Sequence, residues 1–170
     1  MARHKVTLIF IASILMILMI ATTMKCNAQS EIIIEVPIEP VYTYNVTSAE
    51  REMLARLVYR EGNTESMECQ KAIVSVVINR WQAGYWGDTI KNVIYAKGQF
   101  STASLLDKTT PTEKNYQAVD EVLQHGVTIP EYIMYFRASY GFSKIWSDYG
   151  YEEYKQIDNT FFGYFTKDIK

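Results

Sequence analysis

Two apolar stripes at helical spacing, set one after the other, constrain this chain more than anything else in it. In "TSAEREMLARLVYREG", Leu54, Leu57, Val58 and Glu61 fall at i, i+3, i+4 and i+7. In "TESMECQKAIVSVVINRW", Cys69, Ala72, Ile73, Val76 and Val77 share one face. Thr47-x-x-Glu50 reads as a capping box opening the first helix, and Gly62 marks its end. Thr64, Glu65 and Glu68 look like the start of the second. After "QAGYWGD", a loop, Asp88 is expected to cap a short helix running through Tyr95. "AKGQFSTASLLDKTT" reads as irregular. Thr110-Pro111-Thr112-Glu113 gives a cap, a proline and an acid in the order a further helix needs, and that helix ends near His125-Gly126.

Beyond residue 129 the texture changes. Thirteen of the 23 aromatic residues lie between Tyr132 and Phe165. "EYIMYFRA" and "NTFFGYFTK" are short aromatic runs bounded by polar turns, the pattern of paired strands. Helices first and a small sheet afterwards make the expected fold class α+β.

The N-terminus stands apart from this pattern. Arg3 and Lys5 precede a charge-free apolar run from Val6 to Met24, the form of a signal peptide or an N-terminal membrane anchor over residues 1–28. Small residues Cys26 and Ala28 favour cleavage after Ala28. Positive charge ahead of the run places the remainder outside the cytoplasm, secreted or membrane-anchored. Residues 29–47, with two prolines and no helical period, read as an extended tether that could add an edge strand, and residues 48–170 as the folded domain. Asn45-Val46-Thr47 matches a glycosylation sequon.

Losing Arg3, Lys5 and Lys25 with the leader leaves 14 basic against 19 acidic residues, a net of −5. That balance argues against a nucleic-acid partner. Only Cys69 and His125 then remain of their kinds, too few for a disulfide framework or a His/Cys zinc site. The position of Cys69 on an apolar face disfavours a Cys–His nucleophile. No Gly-x-Ser-x-Gly elbow and no glycine-rich phosphate loop is present. The chemistry therefore falls to carboxylates, with neither metal nor cofactor expected.

Glu61 is the conspicuous one, because it occupies a position on the apolar stripe. Burying a carboxylate costs roughly 2–7 kcal/mol unless it is paired, hydrogen-bonded or protonated. A glutamate kept protonated by apolar surroundings is what protonating a glycosidic oxygen requires. The bland reading is a boundary glutamate that curls to solvent or pairs with Arg60 or Arg80.

Residues from about 50 to 165 also resemble the catalytic domain of the cell wall hydrolase family of the spore cortex-lytic enzymes (SleB/CwlJ type). The resemblance rests on "LARLVYREGNTESMECQKAIVSVVINR", then "TIKNVIYAKGQFS", then "YIMYF", Trp146 and "IDNTFFGYF", in that order. It implies a lysozyme-like helical part of three to four helices followed by a small antiparallel sheet. It implies peptidoglycan as substrate, cut at the β-1,4 bond between N-acetylmuramic acid and N-acetylglucosamine. The reaction it implies is that of a lytic transglycosylase, with Glu61 as single acid and base. Glu65 matches the second glutamate of the motif and is expected to orient the site or bind sugar. Gln99, Phe100 and Ser101 are expected to line the glycan groove, and Tyr135 to hydrogen-bond substrate. Trp81, Trp86 and Trp146 could stack on sugars, and Asn79 and Arg80 could buttress the site. The chain departs from the family pattern at Arg60, which would depress the Glu61 carboxyl if it reached it, and in "YFRAS". Alternatives are a muramidase with a second carboxylate (Glu65, Asp88 or Asp148), a non-catalytic glycan-binding module, or an amidase cutting the stem peptide.

Overall fold

The structure is a computed structural model that describes residues 43–139 and 147–169. The leader, most of the tether and Trp146 lie outside the described residues.

Helix α1 (Ser48–Gly62) starts as the sequence indicates. The Thr47 hydroxyl accepts from the Glu50 N–H at 3.2 Å while the Thr47 N–H donates to Glu50 Oε2 at 3.2 Å. Such a cap contributes about 1 kcal/mol. Gly62 is the last residue of the helix, and a Cβ there would sit 2.6 Å from Ile73 Cδ1 of the next helix. Helix α2 (Met67–Ala83) begins at Ser66, whose hydroxyl accepts from the Cys69 N–H, two residues later than Thr64 would set it. Gly84, at φ +71°, ends it in the left-handed conformation that glycine adopts without strain.

Helix α3 (Ile90–Tyr95) is capped by Thr89 rather than Asp88, whose carboxylate instead accepts from the Asn92 side chain. The stretch expected to be irregular contains a 3-10 helix, Ala103–Lys108. Helix α4 (Glu113–His125) starts two residues later than expected. Its cap is Thr112, whose N–H and hydroxyl both donate to Asn115 Oδ1 at 2.8 Å. Thr110-Pro111 supplies the extended approach instead.

Strands β1 (Tyr135–Ala138), β2 (Tyr151–Ile157) and β3 (Thr160–Phe165) form an antiparallel sheet in the order β1-β3-β2. The two aromatic runs pair as expected, Phe136 opposite Phe162. Strand β2 is an addition. It carries five exposed residues between buried ends, so no apolar alternation announces it. The chain is α+β, with the helices preceding the sheet.

Helix α2 is the centre of this arrangement. From Ala72 to Arg80 every residue is buried, the polar Ser75, Asn79 and Arg80 included. Leu54, Leu57 and Val58 of α1, Ile90 and Ile94 of α3, and Val119, Val122 and Leu123 of α4 share its core. Phe162 of β3 closes the core on the sheet side. A buried amide chain supports the junction of the first two helices. Gln70 donates to the Glu65 carbonyl at 3.2 Å and accepts from Asn115 at 3.0 Å. Tether residues 43–47 make no strand; the Thr43 N–H and hydroxyl donate to the carbonyls of Leu123 and Gln124 at the end of α4.

Candidate active site

Glu61 sits in the last turn of α1, half-buried, where the apolar stripe meets solvent. Its carboxylate accepts a short hydrogen bond from the Thr102 hydroxyl, at the entry to the 3-10 helix. Burial raises the carboxyl above its ordinary value of 4.5, opposed first by that hydrogen bond and then by the charge of Arg80. The acid is thus biased towards its protonated form and keeps two groups that stabilise the anion once the proton has gone.

The sequence offered two arginines as partners, and the structure separates them. Arg60 turns away, its Nε donating to Thr109 Oγ1 at 2.6 Å. Arg80, from the centre of α2, is the cation that acts on Glu61. It is 4 % exposed and its Nε donates to the Met134 carbonyl at 2.6 Å. Its guanidinium lies over three rings, 5.1 Å from Trp86, 4.8 Å from Phe100 and 5.3 Å from Tyr135. One terminal nitrogen, Nη1, has no hydrogen-bond partner among the described residues. Burial pulls its pKa down to about 10, which still leaves it charged at neutral pH. Among the described residues no ion pair joins Arg80 to Glu61. A caged cation held off the carboxylate lowers its proton affinity without converting it into a permanent anion.

The other residues singled out in the sequence divide into support and periphery. Phe100 is 8 % exposed and packs against Phe136, so its contact with the site is made through Arg80. Tyr135, half-buried in β1, presents its ring to Arg80 and Trp86 while its hydroxyl donates to Asp168 Oδ2 at 2.8 Å. Burial and that carboxylate push the phenol well above its usual range. Gln99 is half-buried and Ser101 exposed beside Thr102. Glu65 does not join Glu61: its carboxylate accepts from the N–H and side chain of Asn159, in the turn between β2 and β3. Asp88 is engaged with Asn92, and Asp148 is exposed. Asn79 donates to the carbonyls of Pro130 and Ile133 at 2.9 and 3.0 Å, holding the segment that leads into β1. The Trp81 indole donates to the Asp88 carbonyl.

Thr102 is the site residue that sequence reasoning passed over. It directly follows Gln99-Phe100-Ser101, but a hydroxyl in a segment without period carries no pattern; the adjacent motif was the only pointer to it.

Glu65, Cys69 and Asp158 bring one ligand atom each within 4.8 Å of one another. Cys69 is buried, and burial pushes its thiol up to about 11.

Comparison with known proteins adds three findings. The family model described as Cell Wall Hydrolase matches residues 64–163, a span that begins three residues after Glu61. The crystal structure of the catalytic domain of the Bacillus cereus SleB protein is similar at TM-score 0.62 and 20% identity, covering 72% of this chain and 94% of that one. The catalytic domain of the germination-specific lytic transglycosylase SleB from Bacillus anthracis is similar at TM-score 0.62 and 22% identity, covering 70% and 97%. None of the curated proteins matches the chain in sequence.

Proposed function

We propose, from the premise that this chain belongs to the cell wall hydrolase family, that it is a lytic transglycosylase of peptidoglycan in which Glu61 serves as both acid and base. Family membership makes it an enzyme acting on the cell wall. The observation that supports the finer reading is the state of Glu61: one half-buried carboxyl, raised by burial, with a hydroxyl and a caged arginine in attendance and, among the described residues, no second carboxylate acting on it. The Bacillus anthracis domain, described as a lytic transglycosylase, supplies the reaction by analogy.

In this mechanism protonated Glu61 gives its proton to the oxygen linking N-acetylmuramic acid to N-acetylglucosamine. The bond from that oxygen to C1 breaks and the N-acetylglucosamine side leaves as an alcohol. The carboxylate left behind is stabilised by Thr102 and by the field of Arg80. It then takes the proton of the muramoyl 6-hydroxyl as that oxygen closes on C1. The product ends in a 1,6-anhydro ring, no water is consumed, and Glu61 is again protonated. One carboxyl suffices, whereas a hydrolase needs a second to act as nucleophile or to activate water. We further propose that the enzyme works outside the cytoplasm, secreted or held by its N-terminal apolar run, with peptidoglycan strands as its partner.

Mass spectrometry of the fragments released from purified peptidoglycan tests the reading. Anhydro-muramic ends, lighter than reducing ends by one water and lost in Glu61→Gln, are expected. Reducing ends would replace the transglycosylase by a two-carboxylate muramidase. Undiminished cutting by Glu61→Gln would remove Glu61 from the mechanism.

A further inference from the structure

A cavity lies beside Met134, the residue that precedes Tyr135. It has a volume of about 360 Å3, and its lining includes Asn79, Gln82, Tyr85, Glu131, Tyr132 and Asp168. Tyr85 is 47% and Tyr132 39% exposed, large amounts for rings walling a recess. Tyr132 also stands edge-on to Tyr154 and Tyr164, with ring centres 6.5 and 5.3 Å away, so the aromatic wall continues onto the sheet. The polar groups are amides and carboxylates, and no Lys or Arg is among the described lining residues.

We propose that this cavity holds a neutral sugar unit of the glycan strand, an N-acetylglucosamine, away from the bond being cut. The inference rests on the glycan reading above. A pyranose ring has flat C–H faces and a rim of O–H and acetamido N–H donors. Tyrosine rings match the faces, and the carboxylates of Glu131 and Asp168 with the amide of Gln82 match the rim. Two carboxylates with no cation among the described lining residues disfavour anionic groups, which favours the neutral sugar over the muramoyl unit with its lactyl carboxyl.

The position fits the same strand. Adjacent residues of α2 pin the shared wall, Asn79 to the carbonyls of Pro130 and Ile133 and Arg80 to that of Met134. Tyr135 spans from one site to the other, its ring over Arg80 and its hydroxyl on Asp168 of the cavity. The cavity is therefore fixed relative to Glu61 by the most buried helix of the fold, and a sugar bound in it would set the register of the chain passing Glu61.

The test titrates the β-1,4-linked tetramer of N-acetylglucosamine into the full chain by calorimetry, alongside Tyr85→Ala, Tyr132→Ala and Glu131→Ala. Binding by the native protein is expected. Each variant should weaken it about tenfold, about 1.4 kcal/mol. Glu131→Ala should keep the native thermal midpoint, its side chain being exposed. The two tyrosine variants lose ring contacts to Trp86, Tyr154 and Tyr164, so they should melt lower yet stay folded at the temperature of the titration. No binding by the native chain, or native affinity in all three variants, overturns the proposal. Capture of lysine amide at these tyrosines, without competition from the tetramer, also overturns it and makes the cavity an ammonium site. Failure of the catalytic reading shows separately, as wall cutting that survives Glu61→Gln whatever the tetramer does.

Discussion

A carboxyl held above its ordinary 4.5 by burial works against the fold whenever it is ionised. The folded state binds that proton more tightly than the unfolded chain does. The contribution is complete below 4.5 and is lost as pH rises through the raised folded value. Glu61→Gln should therefore stabilise the protein at neutral pH, on the order of 1 kcal/mol, while abolishing wall cutting. Below pH 4.5 the stability gain should vanish, and melting curves at the two pH values check this. Arg80 acts in the opposite direction on the same proton. Arg80→Met removes a positive charge that favours the anion, so the alkaline limb of the pH–activity profile should move to higher pH. Maximal turnover should fall, because the anion formed after proton transfer loses its support. An unmoved limb in a folded variant would show that Arg80 only braces the Met134 carbonyl.

Helix boundaries were legible where local chemistry alone decides them and obscure where tertiary contact does. The Thr47–Glu50 box sets the start of α1 with no help from the rest of the chain. Gly62 marks its end as the sequence indicates, but the reason a side chain is excluded there, the approach of Ile73 from α2, is a contact no local pattern reveals. Gly62→Ala should accordingly cost about 1–3 kcal/mol by overpacking, read as a lower urea midpoint at unchanged slope. Strand β2 escaped notice because an edge strand with five exposed polar or aromatic positions has the composition of a loop. Gly163, in "FFGYF", shows what holds β2 in place: a side chain there would collide with the Glu152 carbonyl and with the Tyr151 ring. The candidate site was legible to the same degree. Glu61 stood out by breaking a stripe and Arg80 was already named as a candidate partner, but the choice of Arg80 over Arg60 is made by tertiary packing, and Thr102, in a segment without period, carried no pattern at all.

At the scale of the whole molecule, the helices and the sheet meet in the loop between α1 and α2. The Ser66 N–H donates to Asp158 Oδ2 at 2.7 Å, Glu65 accepts from Asn159, and Lys155 pairs with Glu68 at 2.7 Å. Glu65→Ala should loosen that joint, costing about 1 kcal/mol, and leave measurable activity, unlike Glu61→Gln. Equal loss of activity in the two variants would return Glu65 to the catalytic centre. Helix α2, buried without a break from Ala72 to Arg80, has a consequence for how this protein tolerates change. A saturation scan of an ordinary amphipathic helix shows a 3.6-residue rhythm, permissive outward and restrictive inward. Across Ala72–Arg80 that rhythm should disappear into one unbroken block of intolerance, so sequence drift in this chain is channelled into the other helices and the outer strand.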